Sequence, residues 1–197
     1  MSATNVPNRK GVTRPRNADD FYATPSWVTR AILPHLGPYT SALDPCCGDG
    51  AILRELRGEL HGIETDGGRA LACVESDLRL VHMVNNHDAL VTQWPAVDLI
   101  ITNPPFALAM EFLKLALEES GGRGEVAFLL RLAFLDGQAR AAFHRAHPSD
   151  VYVLPKRPSF TGDGKSDSCA YAWFVFGPGR GGRWSVLDCE PAKRGRS

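Results

Sequence analysis

The sequence predicts an α/β fold on a mostly parallel sheet, from three observations. Short apolar, β-branched runs alternate with longer stretches whose apolar residues recur three and four apart, the patterns of strands and of helices in turn. A glycine turn, Asp44-Pro45-Cys46-Cys47-Gly48-Asp49-Gly50, follows the first apolar run. A later run ends in a rigid turn, Asn103-Pro104-Pro105-Phe106, because Asn-Pro and Pro-Pro break regular structure. Ligands of open α/β sheets bind at the carboxyl ends of strands, so both turns fall where a site is expected.

A chain of 197 residues suits one domain with a full core. With 22 basic and 22 acidic residues the net charge is zero, which argues neither for nor against a nucleic-acid partner. Basic residues do gather at the ends, Arg9, Lys10, Arg14 and Arg16 at one and Arg180, Arg183, Lys193, Arg194 and Arg196 at the other, where they can add phosphate affinity. No apolar run is long enough for a membrane span and no signal-peptide pattern is present. The five cysteines lack metal-type spacing and suit a reducing cytoplasm. Residues 1–18 are expected to form a flexible tail, 19–176 the folded domain and 177–197 a Gly/Arg-rich tail.

Element by element, Thr24 suits an N-cap with Pro25 at the first helical position. Trp27, Val28, Ala31 and Ile32 form one face of that helix until Pro34 and Gly37-Pro38 stop it. Phe21 and Tyr22, aromatic residues in a flexible lead-in, suit covering a bound ligand. Residues 41–43 predict a strand, and Ile52, Leu53 and Leu56 predict a helix after the glycine turn. Gly48 and Gly50 let the backbone approach a ligand closely. Against the dinucleotide pattern GxGxxG, Leu53 stands at the third glycine, and Asp44 and Asp49 put negative charge where a pyrophosphate would sit. Those acids suit a ligand with an amine and a positive charge.

Residues 60–64 predict a second strand ending in Glu64, able to accept from both ribose hydroxyls, with Asp66 as a helix cap. Residues 81–84 predict a third strand, and Asp88 in the turn beyond can accept from an adenine amino group. Residues 97–101 predict a buried strand leading to Asn103. The Asn103 side-chain oxygen and the Pro104 carbonyl are two acceptors able to meet one amino group, while Phe106 stacks on the ring that bears it. Acceptors drawing the amine hydrogens out of plane would raise lone-pair density during attack. A Pro-rich turn with a core Phe has the same composition. The distinguishing feature is order: glycine turn, acid, acid and then the tetrapeptide, each at a predicted strand end.

That order resembles the S-adenosylmethionine-dependent methyltransferases of the Rossmann-like class I, specifically their DNA N6-adenine branch. DPCCGDG is similar to the family's cofactor loop, GIETD to its ribose-binding acid, HDAL to its adenine-contacting acid, and NPPF to its catalytic tetrapeptide. DFYATPSWVTRAIL resembles the segment that covers the cofactor's methionine end. The resemblance spans residues 19–176 and implies a seven-stranded, mostly parallel sheet with an antiparallel last strand and helices on both faces. It implies S-adenosyl-L-methionine as cofactor, bound by Phe21, Tyr22, Thr24, Pro25, Asp44, Pro45, Cys46, Gly48, Gly50, Glu64, Asp88 and Asn103. It implies Asn103, Pro104, Pro105 and Phe106 as the catalytic residues, acting on adenine N6.

Beyond the tetrapeptide, Leu108, Phe112, Leu115 and Ala116 line a helix stopped by Gly121-Gly122, and residues 125–130 predict a buried strand. His144 and His147 share a helix over residues 136–147 but lack an acid or Cys partner, so no metal site is expected. Residues 151–154 and 170–176 predict the last two strands, joined by a connection far longer than a hairpin needs. In it Lys156, Arg157 and Lys165 suit phosphates and Phe160 suits an extruded base, and family loops of the form R-P-x-F-x-G are similar. A separate target-recognition domain is not expected, which resembles compact phage and prophage enzymes. DNA is then the expected partner, with specificity from short loops or from a second protein. Methylation of RNA adenine or of a protein glutamine, and a silent module binding DNA or a partner methyltransferase, stay open. The Asp-rich glycine turn and Leu53 disfavour a dehydrogenase.

Overall fold

The computed structural model describes residues 23–76, 84–86, 88–160 and 167–188. Its centre is one sheet, built from β1 (Ser41–Asp44), β2 (Glu59–Glu64), β3 (Val84–Asn86), β4 (Leu99–Thr102), β5 (Glu125–Arg131), β6 (Asp150–Val153), β7 (Tyr171–Phe176) and β8 (Trp184–Val186). The order is β3-β2-β1-β4-β5-β7-β6-β8. The first five strands run parallel, and β7 lies antiparallel between β5 and β6. This is the expected seven-stranded arrangement with one short strand added, β8, which pairs parallel with β6. The third strand sits at Val84–Asn86, and residues 81–83 of its expected span lie outside the described residues.

Period-2 alternation divides the strands between two cores. Ala127 and Leu129 of β5, with Tyr171, Trp173 and Val175 of β7, join Val28 and Ile32 of α1 (Ser26–Ile32) on one face. Val126, Phe128 and Leu130, with Ala172, Phe174 and Phe176, meet Phe112, Leu113 and Ala116 of α3 (Ala109–Ser120) on the other. The buried Trp173 indole donates to the Val28 carbonyl at 3.0 Å, tying α1 to the sheet. α2 (Gly67–Ser76) follows β2, and α4 (Gln138–Ala146) packs by Phe143 against Phe176. The His144 ring meets the Phe134 carbonyl at 3.1 Å, while the His147 ring lies against Phe143. Among the described residues no helix is long and apolar enough to cross a membrane.

Three local expectations change. Thr24 does not cap α1: the cap position is Pro25, with no side-chain cap bond, and the Thr24 hydroxyl is used elsewhere. The helix expected after the glycine turn is a single 3-10 turn, Leu53–Glu55. Its apolar periodicity is real, since Ile52, Leu53 and Leu56 are all buried. The chain must turn at once into β2, however, through Gly58 at φ +98°, where a Cβ would stand 2.2 Å from the Thr40 carbonyl oxygen. The expected tail past residue 176 contributes β8 and an ion cluster. Arg180 pairs with Glu125, with Asp150 at 3.4 Å and with the Tyr152 hydroxyl at 2.9 Å. Asp150 also accepts from the Gly181 and Arg183 amides and from the Arg183 guanidinium at 2.7 Å. Both arginines, read in the sequence as tail charges able to add phosphate affinity, therefore hold the segment after β7 to β5 and β6.

Two stability tests follow from this packing. A methyl added at Gly62 would stand 2.8 Å from the buried Cys47 sulfur and 3.2 Å from Leu53 Cδ1. Gly62→Ala is expected to cost about 1–3 kcal/mol in denaturant unfolding, and an unchanged midpoint would contradict the tight contact. Burial acts to raise the Asp150 carboxyl, but the bonds from Arg183, Gly181 and Arg180 outweigh it and lower it to about 2. The unfolded value is about 3.9. This stabilisation is therefore full above that value and is lost as pH falls toward about 2. Asp150→Asn should flatten the acid limb of Tm against pH. A mutant limb as steep as the wild type would assign that limb to other groups.

Candidate active site at the carboxyl edge of the sheet

β1 delivers Asp44 to the carboxyl edge, and the loop after it folds back over β2. The Cys47 amide donates to the Ile63 carbonyl at 3.0 Å, and the Gly50 amide closes a turn on the Cys47 carbonyl at 2.8 Å. Gly48 and Gly50 take positive φ, 54° and 84°, which glycine adopts without strain. The Cys47 side chain drops into the core above Gly62, so it packs rather than reacts. Burial also pushes the Cys46 thiol well up, which disfavours its thiolate.

A cavity of about 230 Å³ opens above this loop. Asp44, Pro45, Cys46, Glu64, Asp88 and Asn103 line it together with Thr24, whereas Pro25 and Gly50, also expected at the cofactor, are not on its lining. Gly48 lies behind the lining and donates its amide to Glu64 Oε2 at 3.0 Å. Glu64 Oε1 accepts from the Asp66 amide at 3.0 Å and from the Arg69 guanidinium at 2.9 Å. Arg69, which also lines the cavity, escapes sequence reading because nothing in its own helix marks it. Asp44 is 1% exposed and accepts from the Cys46 amide at 3.0 Å. Burial, with a smaller push from the Glu64 charge, raises its carboxyl to about 7. Asp88 is exposed and accepts from the Leu90 amide at 2.9 Å, the local bond expected of a turn acid.

β4 ends at Thr102 and presents Asn103 to the same cavity. The Asn103 Nδ2 donates to Thr24 Oγ1 at 3.1 Å. With its donor end held there, the carboxamide has a defined orientation, and its oxygen is its accepting end. Thr24 is therefore placed at the site, though by a role other than the expected helix cap. Pro104 is buried, and Pro105 at φ −53°, ψ 125° starts the 3-10 turn Phe106–Leu108 that leads into α3.

Phe106 does not line this cavity; its ring belongs to a second cluster. The Arg131 guanidinium stands 4.3 Å from the Phe106 centroid, and the Tyr171 ring lies 5.8 Å away at 45°. Tyr171 donates to Asp167 Oδ2 at 2.7 Å and receives Arg131 Nε at 3.4 Å. Burial first, then Asp167, raises the Tyr171 phenol, so it stays protonated. Burial acts to raise Asp167, but the bonds from Tyr171 and the Cys169 amide outweigh it and hold the carboxyl below its ordinary value. Phe160 meets Tyr171 nearly edge-on at 5.1 Å and 68°, so the long loop does reach this cluster. The Asp167 amide closes the loop on the Pro158 carbonyl at 3.0 Å. Lys156 leaves the cluster and sits 4.8 Å over the Trp27 ring, while Arg157 is exposed. Phe21, Tyr22 and Lys165 lie outside the described residues. Arg131 carried one sequence signal, a charge closing an apolar strand run. Its pairing with Tyr171 carried none, because strand register is not written locally.

No protein-family model matches the sequence, and no curated protein matches it. Solved structures do. A modification subunit of a candidate type I restriction enzyme from Vibrio vulnificus YJ016 has TM-score 0.62 and 20% identity, over 90% of this chain and 49% of that one. A candidate class I S-adenosylmethionine-dependent methyltransferase from Listeria monocytogenes has TM-score 0.62 and 16% identity, over 82% and 62%. The 23S rRNA methyltransferase ErmE has TM-score 0.59 and 16% identity, over 83% and 70%. The chain thus spans about half the length of the first and 62% of the second. At these identities the likeness shows the fold, which is the Rossmann-like sheet of the class I methyltransferases.

Proposed function

We propose that the protein is a methyltransferase that uses S-adenosyl-L-methionine to methylate the exocyclic N6 amine of adenine in DNA. The observation that carries this reading is the placement of Asn103. Its oriented carboxamide stands on the lining of an acid-walled cavity, three residues before a ring that faces a different cluster. One tetrapeptide thereby joins a place for a methyl donor to a place for a flat acceptor.

The residues present fit the cofactor. Buried Asp44 suits a cationic amine, Glu64 suits a ribose, and Asp88 suits an adenine amino group, while the loop of Gly48 and Gly50 admits close approach. Bound there, S-adenosyl-L-methionine would supply an electrophilic methyl group. The protein's own contribution is to hold and polarise the acceptor. The Asn103 oxygen and the Pro104 carbonyl accept the two amine hydrogens, so the nitrogen lone pair is freed from the ring for attack. Phe106 holds the base, and alignment of the two reactants supplies a large part of the acceleration. As the amine nitrogen gains the methyl, the donor's carbon–sulfur bond would break to leave a neutral thioether, and one amine proton would pass to water.

DNA is favoured over a glutamine side chain because the Phe106 cluster offers flat, cationic and aromatic partners suited to a nucleobase. Extrusion of the base from a duplex would bring the amine to Asn103. A type I modification subunit among the structural neighbours, matched over 49% of its length, is consistent with a second protein supplying target recognition.

Labelled methyl transfer should be measured to duplex DNA, single-stranded DNA, RNA and protein, with the product digested and identified. N6-methyladenine from DNA is expected, with Asn103→Ala slower by roughly 100-fold or more. Label in protein alone would overturn the nucleobase reading, and label in RNA alone would move the substrate to RNA. The Asp44 carboxyl gives a second test. A cationic ligand favours its ionised form, and in the free protein the group titrates at about 7. Affinity for S-adenosyl-L-methionine should therefore climb with pH up to that value and level off above it, changing by up to about tenfold per unit below. Calorimetry of Asp44→Asn should give a weaker, flatter profile. A flat wild-type profile would remove Asp44 from cofactor binding.

A further inference from the structure

Arg131 closes β5, beside β4, whose carboxyl end carries Asn103. Its guanidinium carbon lies 4.3 Å from the centre of the Phe106 ring, a stacking distance. A guanidinium is planar, weakly hydrated and always charged, so it stacks on aromatic faces as an ammonium does not. Arg131 faces Tyr171 in the β5–β7 register, and their side chains meet at 3.4 Å. Tyr171 is in turn held by Asp167 at 2.7 Å. The carboxylate thus anchors the guanidinium through a phenol. The first of these bonds is long and yields readily; the second is short. Phe160 uses its ring against Tyr171, edge-on, and packs with the core.

We propose that Arg131 is the second jaw of a slot for one flat heterocycle, with Phe106 as the first, and that its guanidinium holds the Phe106 face until a base inserts between them. This rests on the reading of the substrate as a nucleobase. Insertion moves the guanidinium out by roughly 3.5 Å, one aromatic thickness, and stretches its long contact to Tyr171. One ring contact is exchanged for two, Phe106 on the base and the base on Arg131. Such a slot selects by shape. A purine fills it, whereas a glutamine amide leaves both jaws poorly covered. Asp167 and Tyr171 are positioning residues that return the guanidinium when the base leaves. The loop residue Phe160 then supports Tyr171 and does not itself stack on the base.

The test is binding of fluorescein-labelled oligo(dA) and of an equally long abasic strand, read by anisotropy at one salt concentration. Wild type is expected to prefer oligo(dA). Arg131→Met should lose roughly tenfold in oligo(dA) affinity with little change for the abasic strand. Arg131→Lys keeps the charge without the plane and should lose the same preference, which guards against a folding defect in the first variant. Thermal unfolding and cofactor affinity near wild type would confirm that both variants fold. Retained preference in Arg131→Met overturns the proposal, as does full rescue by Lys. Equal loss on both strands also overturns it, by making Arg131 a phosphate contact. A wild type without preference overturns it too; detection of N6-methyladenine in the transfer assay then shows that the nucleobase reading survives alone.

Discussion

Leu99, Ile100, Ile101 and Thr102 form a strand buried on both faces and held in parallel register between β1 and β5, so the chain can leave the sheet only at its carboxyl edge, where Asn103 stands. Two prolines follow at once. They donate no amide and restrict φ, so the exit is a stiff turn rather than a mobile loop. The same burial aligns the ends of β1 and β2, which brings Asp44 and Glu64 to the cavity that Asn103 lines. The Asn103–Thr24 bond joins the entry of α1 to the turn across 79 residues of sequence. It makes the carboxamide orientation a property of the whole fold.

Electrostatics gives the cavity its character. Four carboxylates, Asp44, Asp49, Glu64 and Asp88, line one space, and the chain satisfies them unequally. Glu64 is met by the Gly48 and Asp66 amides and by Arg69, and Asp88 by a turn amide. Asp44 is the most deeply buried and is pushed up to about 7. Ionising it in the free protein costs stability as pH rises through that value, because the unfolded carboxyl is already ionised there. A positive charge bound beside that carboxyl would offset the cost.

The second cluster extends the same economy of construction. β7 inserts antiparallel between β5 and β6, and that placement sets Tyr171 opposite Arg131. An inserted antiparallel strand thus does two things. It completes both cores with alternating side chains, and it supplies the phenol that steadies the guanidinium on Phe106. Below the sheet, Arg180 and Asp150 close the opposite end by joining the segment after β7 to β5 and β6.

Much of this was legible in the sequence, because burial leaves a periodic trace. Runs such as those at residues 125–130 and 170–176 carry alternate side chains into two cores, and any strand with that composition must sit inside a covered sheet. The order of glycine turn, acids and tetrapeptide was equally readable, since each falls at a strand end, and strand ends share one edge in a parallel sheet. The sequence by itself therefore determined the fold class and set Asp44, Glu64, Asp88 and Asn103 at or just past strand ends on one edge. What it did not carry are contacts that depend on register and on distant partners. Thr24 looked like a cap because capping is local, but its hydroxyl is taken by Asn103. Leu53 looked helical because burial by a tight turn leaves the same apolar spacing as a helix. Arg180 looked like a tail charge because its partners Glu125 and Asp150 are far along the chain. Arg131 came to lie on Phe106 only once β4, β5 and β7 were aligned. Local pattern encodes which side of an element is buried; only tertiary structure decides what it is buried against.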